Sequence, residues 1–170
     1  VNGIYYNLYW TTNQAEVVSG TKEYFGSITI PATVTYEGAI YSVTSIGKYA
    51  FYNSSSLTAI NISENVTSIG MGAFEDCSNL TSITLPESVT SIGDYAFDNC
   101  TALKKVIIED GSSTLSLGYN YYYSSSTGEG LFYDCPLEEV YLGRNLSYNS
   151  GYSYGYSPFY NKDALTNVTI

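Results

Sequence analysis

The chain has 170 residues, a net charge of −10 with only six Lys and Arg, and no histidine. So few basic residues argue against nucleic-acid binding, which depends on clustered Lys and Arg that neutralise phosphates. The lack of histidine removes the usual general base of a Ser or Cys nucleophile, and no apolar run approaches the roughly 20 residues of a membrane-spanning helix. The composition therefore predicts a single non-catalytic domain without a cofactor, a metal site or a segment inserted in a membrane.

The first 27 residues contain no repeat. Residues 4–6 and 16–18 are predicted strands separated by the polar segment 11–14, so residues 1–27 are expected to form an N-terminal β cap. Residues 28–31 resemble residues 83–86 and predict the first rung of a repeat. Residues 34–41 alternate around Glu37 and Gly38, which predicts a hairpin inside an insertion near 33–42.

A unit of fixed length then repeats, with Phe51, Phe74 and Phe97 spaced 23 residues apart. Each unit contains a V-T-S-I-G segment, an Ala-Phe pair and an L-x-x-I-x-I stretch. Two less regular copies follow, ending at 137–142 and 165–170. A fixed period of this length is typical of a solenoid, in which each unit buries its apolar face against its neighbours. We count six rungs over residues 28–170.

The L-x-x-I-x-I stretches are predicted to be parallel strands of one sheet, one strand per repeat, with Ile60, Ile83, Val106 and Val140 buried. The Ala-Phe segments should cross the far side as short helical or irregular turns. They would place the phenylalanines in one stacked column formed by Phe51, Phe74, Phe97, Phe132 and Phe159. Glycine at positions 47, 70 and 93 suits a backbone with positive φ or very close packing. Lys105 and Glu139 fall at the same strand position of adjacent rungs and should face each other.

Cys77, Cys100 and Cys135 each lie three residues after a column phenylalanine. Because Ser54 and Lys162 occupy the same position in other copies, we interpret the cysteines as small fillers of one interior position. Their odd number argues against a disulfide framework, although a bridge between Cys77 and Cys100 on neighbouring rungs stays open.

The pattern V-T-S-I-G-x-x-A-F-x-x-C-x-x-L-x-x-I-x-L-P resembles the BspA-like leucine-rich repeats of bacterial surface proteins. The resemblance covers about residues 28–170 and implies a leucine-rich repeat solenoid that is mainly β. It also implies an extracellular or cell-surface location and adhesion to host matrix proteins or to other microbes. The asparagine expected after the last strand leucine of ordinary leucine-rich repeats is only partly present, since that position holds Asn65, Ser88, Gly111 and Asn145. The chain starts without Met and stops within a rung, so we expect a fragment of a longer protein.

Two Tyr-rich insertions, near 119–130 and 147–158, fall at the same position of consecutive rungs and should lie side by side. Loops on a rigid scaffold commonly carry binding residues, and tyrosine gives a large contact area at low entropic cost. The alternative is that these loops are spacers whose tyrosines pack on the solenoid. The first candidate binding patch consists of Tyr119, Tyr121, Tyr122, Tyr123, Tyr148, Tyr152, Tyr154 and Tyr156. The second is the concave face of the sheet, with Asn61, Thr84, Ile107, Tyr141 and Thr169.

The function predicted from these features is non-catalytic binding at a cell surface, with a protein or a glycan as partner and without nucleic acid. Two other functions are kept open. One is a structural spacer within a larger surface protein. The other is a glycan-binding module that uses the Tyr-rich loops.

Overall fold

The computed structural model describes residues 3–120, 129–148, 157–159 and 162–170. These residues form strands and turns, and none of them lies in a helix. The strands in chain order are β1 Tyr5–Tyr9, β2 Gln14–Val18, β3 Gly26–Thr29, β4 Thr33–Tyr36, β5 Ala39–Ile46, β6 Leu57–Asn61, β7 Ser68–Ile69, β8 Ser82–Leu85, β9 Ser91–Ile92, β10 Lys105–Ile108, β11 Leu115–Leu117, β12 Tyr119–Asn120, β13 Glu129–Gly130, β14 Glu139–Leu142, β15 Leu146–Tyr148 and β16 Asn167–Thr169.

The repeated L-x-x-I-x-I stretches form the predicted parallel strands of a repeat solenoid. Strands β8, β10, β14 and β16 form one parallel sheet, in the order set by the repeat. Successive side chains of a strand point to opposite faces. Ile83, Val106 and Val140 are therefore buried, as predicted, and the residues between them face outward. We call this sheet, together with the adjoining pair β3–β6, the front sheet.

The prediction of a single hydrogen-bonded sheet needs one correction. Strand β6 pairs with β3 in a separate two-stranded parallel sheet, and it lies next to β8 without forming a ladder with it. The β3–β6 register shifts between Gly26 and Ser27, so β6 follows an irregular partner rather than the even register of β8 to β16. The stretch still serves as a rung of the core, because Leu57 and Ile60 are buried.

A second sheet, here called the rear sheet, was not predicted. The V-T-S-I-G segments form short strands within it, and β5, β7, β9, β11 and β15 pair in parallel. The antiparallel hairpin β1–β2 extends this sheet at its N-terminal end, through parallel pairing of β2 with β5. Strands β4 and β5 form a hairpin around Glu37 and Gly38. Both of these residues have positive φ, at 49° and 82°, as a tight two-residue hairpin turn requires.

The rear sheet is apolar on its inner side and carries hydroxyl groups on its outer side. Val66, Ile69, Val89 and Ile92 are buried. Threonine hydroxyls link adjacent rungs, with Thr67 Oγ1 donating to the Thr44 carbonyl at 3.1 Å. One serine on each of five strands shares the same register, namely Ser45, Ser68, Ser91, Ser116 and Ser147.

The predicted phenylalanine column is confirmed on the third side of each rung. Phe51 and Phe74 stack with ring centroids 5.2 Å apart, and Phe74 and Phe97 at 5.5 Å. Phe132 and Phe159 continue the stack. The segments carrying these rings are turns rather than helices, and they hydrogen-bond from rung to rung; the Phe74 amide, for example, donates to the Ala96 carbonyl at 2.9 Å.

Tyr24 extends this column at its N-terminal end, which the sequence pattern did not show. Its ring centroid lies 4.7 Å from that of Phe51. The Tyr24 hydroxyl donates to the Val18 carbonyl at 2.8 Å and accepts a hydrogen bond from the Tyr5 amide at 3.1 Å. Tyr24 is thus the last ring of the aromatic stack, and its hydroxyl is hydrogen-bonded to the hairpin β1–β2.

Close packing, and not positive φ, explains the repeated glycines at 47, 70 and 93. None of the three has positive φ. A Cβ at Gly70 would lie 2.6 Å from the Lys48 amide nitrogen, and a Cβ at Gly93 would lie 2.5 Å from the Met71 amide nitrogen. Gly118 occupies the same place on the next rung, 2.4 Å from the Asp94 amide nitrogen. Adjacent rungs therefore approach each other so closely at this corner that only glycine fits.

The three cysteines are buried, free thiols in the interior position predicted for them. Each thiol points at the carbonyl of the column phenylalanine one rung earlier: Cys77 Sγ lies 3.2 Å from the Phe51 oxygen, and Cys100 Sγ lies 3.1 Å from the Phe74 oxygen. Burial raises the pKa of the Cys77 and Cys135 thiols from 9.0 to about 12 and places the pKa of Cys100 well above its ordinary value.

We expect these thiols to be unreactive in the folded protein. Because the thiolate is the nucleophile, a thiol-reactive dye at pH 8 should label none of the three positions until denaturant is added. The raised pKa values also predict a pH dependence of stability. Above about pH 9 the unfolded chain loses thiol protons that the folded chain keeps up to about pH 12, so the melting temperature should fall over that interval. Rapid labelling of the native protein would contradict this account.

Candidate binding surfaces

The outward residues of the front sheet form two rows across the rungs. They point to solvent because they alternate with the buried residues of the same strands. One row consists of Ser27, Ala59, Ser82, Lys105, Glu139 and Asn167. The other consists of Thr29, Asn61, Thr84, Ile107, Tyr141 and Thr169 and contains the predicted concave-face candidates. The structure therefore brings these five candidates into one continuous row.

The chemistry of this face changes along the solenoid. At the N-terminal rungs the side chains are small and, apart from Ala59, polar, and Asn61 Nδ2 donates to Thr29 Oγ1 at 3.3 Å. Towards the C-terminal rungs the outward residues are larger, with the half-buried side chains of Ile107 and Tyr141 next to each other. Ile107 and Tyr141 thus form an apolar pair, and their other neighbours in the row, Thr84 and Thr169, are polar.

Tyr141 is held in place by a residue outside the strands. Its hydroxyl donates to Asp110 Oδ1 at 2.6 Å, and this hydrogen bond is the main reason that the Tyr141 pKa is raised. A shallow cleft of about 260 Å³ lies beside the ring and is lined by Lys105, Ile107, Glu139, Val140, Tyr141, Asn167 and Thr169. The sequence identified Tyr141 but not Asp110. Asp110 lies outside the strands, so the repeat pattern does not predict which way its side chain points.

The predicted ion pair lines this cleft. Lys105 Nζ lies 2.8 Å from Glu139 Oε2, which confirms the predicted contact between adjacent rungs. Lys104 and Glu138 form a parallel pair at 2.7 Å. Lys105 and Glu139 therefore place one positive and one negative charge beside Ile107 and Tyr141.

We expect the Lys105–Glu139 pair to contribute at most about 1 kcal/mol to stability, because both side chains are nearly half exposed, at 48% and 49%. A double-mutant cycle with Lys105→Ala and Glu139→Ala, followed by urea denaturation, measures the coupling free energy. The Lys104–Glu138 pair is the matched control and should give a coupling of similar size. A coupling of several kcal/mol in the first cycle would show that the pair is far less solvated than its exposure indicates.

The Tyr-rich patch can be placed only in part. Tyr119 is half-buried, and its amide donates to Asp94 Oδ1 at 3.1 Å. Tyr148 is 43% exposed, and both tyrosines line one cleft of about 440 Å³ together with Asp94 and the serines at 116 and 147. The remaining six candidates lie outside the described residues: Tyr121, Tyr122, Tyr123, Tyr152, Tyr154 and Tyr156.

Arg144 is a structural residue that the sequence did not single out. Its side chain is buried, and its guanidinium donates to the carbonyls of Glu87 and of Pro86, the latter at 2.9 Å. It also donates to Ser113 Oγ at 3.2 Å. Burial lowers the Arg144 pKa, which Glu87 and Glu109 partly counteract. Arg144 follows β14, Ser113 follows β10, and Pro86 and Glu87 follow β8, so this one side chain contacts three successive rungs.

No group of three or more His, Cys, Asp or Glu side chains in the described part of the chain is arranged to hold a metal ion. In the same residues, no helix has the length and apolar character needed to cross a bilayer. The features that this structure offers to a partner are its extended faces and shallow clefts.

Comparison with known proteins identifies the repeat. The family model of the BspA type leucine-rich repeat region matches residues 21–161 in six copies. The chain belongs to the BspA-type leucine-rich repeat family. Strand β16 lies beyond residue 161, so the six matched copies do not correspond one to one to the strands β3, β6, β8, β10, β14 and β16.

Solved leucine-rich repeat proteins share this fold. A leucine-rich repeat protein from Bacteroides ovatus matches all of this chain with a TM-score of 0.72 and 29% identity. The chain spans 40% of the length of that protein. The leucine-rich repeat protein of T. pallidum matches 97% of this chain with a TM-score of 0.69 and 21% identity, over 67% of its own length.

One further match bears on location. A leucine-rich cell surface protein from Faecalibacterium prausnitzii matches 99% of this chain, over 53% of its own length, with a TM-score of 0.55 and 25% identity. A comparison with curated proteins found no match. Family and fold together describe a repeat module of a kind that also occurs in a protein named for the cell surface.

Proposed function

We propose that this chain is a non-catalytic binding module of the cell surface that adheres to proteins on host or microbial cells. Its membership of the BspA-type leucine-rich repeat family supports a binding role, and its similarity to a leucine-rich cell surface protein supports the location. The net charge of −10 argues against a nucleic-acid partner.

The observation that carries this proposal is the C-terminal half of the front face. Ile107 and Tyr141 form an apolar centre that Lys105, Glu139 and Asn167 surround with polar groups. Protein-binding surfaces commonly have this arrangement, in which an aromatic or aliphatic anchor is enclosed by a polar rim. The surface is rigid because the alternate residues of the same strands, such as Val106 and Val140, are buried in the core.

The repeat supplies a variant that should keep the fold. Thr84 and Thr169 occupy the outward row on either side of Ile107 and Tyr141, so the double variant Ile107→Thr/Tyr141→Thr gives the row threonines that it already accommodates. We expect this variant to bind at least tenfold more weakly to the surface protein that the parent recognises, since truncating interface anchors commonly costs at least 2 kcal/mol.

The measurement is surface plasmon resonance against a panel of extracellular matrix proteins. The control is Ser68→Ala/Ser91→Ala, which changes the outer side of the rear sheet and should leave binding unchanged. If the parent binds no protein of the panel, the structural-spacer alternative is favoured. If the threonine variant binds as strongly as the parent, the partner contacts a different surface.

The cleft of Tyr119 and Tyr148 is a second contact region within the same proposal. Tyr148 is exposed at its edge, and Asp94 fixes the backbone of Tyr119 beside it. Tyr148→Ser in the same binding assay separates this region from the front face. A loss of binding with Tyr148→Ser but not with the threonine variant would move the site to the Tyr-rich loops.

A further inference from the structure

A small aromatic cleft lies on the turn side of the solenoid, away from both sheets. It is lined by residues 19–24 and by the turn at 49–54, and it encloses about 340 Å³. Its floor contains the buried residues Tyr24, Ala50 and Ser54. Tyr49 and Tyr52 form its wall, with exposed rings in an edge-to-face pair whose centroids are 5.6 Å apart. We call this site the turn cleft.

The Tyr49 backbone has a left-handed conformation that recurs at the same position of the next two rungs, at Gly72 and Tyr95. Tyr49 has a φ of 56°, in the left-handed region that costs an L-residue roughly 1–2 kcal/mol. The next rung has Gly72 at the same position, with a φ of 58°. A Cβ at Gly72 would lie 2.2 Å from Tyr49 Cε1, so the ring lies directly over this glycine. The Tyr49 hydroxyl contacts Met71 Sδ at 3.8 Å and anchors the far end of the ring.

The rim of the turn cleft offers hydrogen-bonding groups that are not engaged elsewhere in the described residues. The Asn99 amide, two rungs on, donates to Asp76 at 2.6 Å, but the side-chain amide of Asn53 has no such bond within the described part of the chain. The same holds for the Tyr52 hydroxyl. Lys22 and Glu23 line the cleft as well, and their opposite charges cancel. Lys48 Nζ lies over the Tyr49 ring, 5.1 Å from its centroid, so Tyr52, at 49% exposure, is the more accessible of the two rings.

We propose that the turn cleft binds a neutral oligosaccharide. A pyranose ring presents an apolar C–H face, which suits an exposed tyrosine ring, and hydroxyls that both donate and accept hydrogen bonds. Asn53 and the Tyr52 hydroxyl can do both, while Lys22 donates and Glu23 accepts. The charges of the lining residues Lys22 and Glu23 sum to zero, and the net charge of −10 disfavours an acidic glycan. The volume of the cleft falls in the range of small-molecule sites.

The repeat again provides a variant compatible with the fold. The next rung carries Gly72 and Glu75 where this rung carries Tyr49 and Tyr52, and both rungs make the same turn. The double variant Tyr49→Gly/Tyr52→Glu therefore copies an existing turn, removes both rings and relieves the strain at position 49. The matched control is Tyr36→Ala, which removes an exposed tyrosine at the tip of the β4–β5 hairpin.

The experiment titrates the protein by calorimetry with neutral hexasaccharides of glucose, mannose, galactose, xylose and N-acetylglucosamine, and with hexagalacturonate as the acidic comparator. We expect at least one neutral hexasaccharide to bind the parent and the Tyr36→Ala control equally, and to bind Tyr49→Gly/Tyr52→Glu at least tenfold more weakly. The proposal is overturned if no neutral sugar binds, if only hexagalacturonate binds, or if the double variant binds as the parent does.

Two further measurements keep the outcome unambiguous. In the parent, the NMR resonances of the Tyr49 and Tyr52 rings should shift when the bound sugar is added, and shifts confined to other tyrosines would overturn the assignment even if the variant failed to fold. Binding of Tyr49→Gly/Tyr52→Glu to matrix proteins should equal that of the parent. The proposal for the turn cleft and the proposal for the front face can therefore be refuted independently of each other.

Discussion

Replacing Phe74 with alanine should lower the free energy of unfolding by about 3–5 kcal/mol, the usual cost of truncating a buried aromatic ring. Phe74 is fully buried and stacks between Phe51 and Phe97, with interplanar angles of 3° and 5°. The two flanking rings cannot close the gap, because the Phe51 and Phe74 amides are hydrogen-bonded to the next rung. Guanidinium denaturation of parent and variant measures the difference.

Phe25→Ala is the matched control. Phe25 is 75% exposed, so the same chemical change should alter stability by only about 0.5 kcal/mol. An unchanged denaturation midpoint for Phe74→Ala would mean that the aromatic column does not support the core, and the rung packing described above would have to be revised.

Gly93→Ala should destabilise the protein by about 3 kcal/mol, although it adds a single methyl group. The added Cβ would lie 2.5 Å from the Met71 amide nitrogen and 2.8 Å from the Gly70 carbonyl carbon. Both are backbone atoms of the preceding rung, so no side-chain rotation can make room. Relief requires that two hydrogen-bonded rungs separate, and the melting temperature should fall accordingly.

Ser91→Ala is the control for this second variant, because Ser91 lies two residues before Gly93, on β9, and is exposed. Its melting temperature should equal that of the parent protein. If Gly93→Ala also melted with the parent, the corner would have more space than the distances indicate, and the close approach of rungs would not explain the repeated glycines at 47, 70, 93 and 118.

The core could be predicted because the repeat gives the same information several times. A position that holds Phe in all five copies can be recognised as a buried aromatic site. A position that holds Cys, Ser or Lys in different copies can be recognised as one that does not depend on cysteine chemistry. The rear sheet was missed for the opposite reason. Its middle strands, Ser68–Ile69 and Ser91–Ile92, are two residues long, and alternation cannot be recognised over two residues.

The outward row of the front sheet was also predictable, since strand alternation assigns Ile107 and Tyr141 to the outer face and the repeat register makes them neighbours. The residues that shape the sites were not. Asp110 reaches Tyr141 from a loop after β10, and Tyr49 adopts a backbone conformation that the sequence favours only at Gly72 on the next rung. Such features depend on distances between rungs, which a repeat pattern does not contain.

Arg144 has a consequence for how the solenoid comes apart. In repeat proteins each unit normally contacts only its immediate neighbours, so that terminal units can fray one at a time. The hydrogen bonds from Arg144 to Pro86, Glu87 and Ser113 couple three successive rungs through one side chain. The rungs of β8, β10 and β14 should therefore be lost together, as one cooperative block. The surface formed by Lys105, Ile107, Glu139 and Tyr141 lies within that block, on the part of the chain least prone to gradual unravelling.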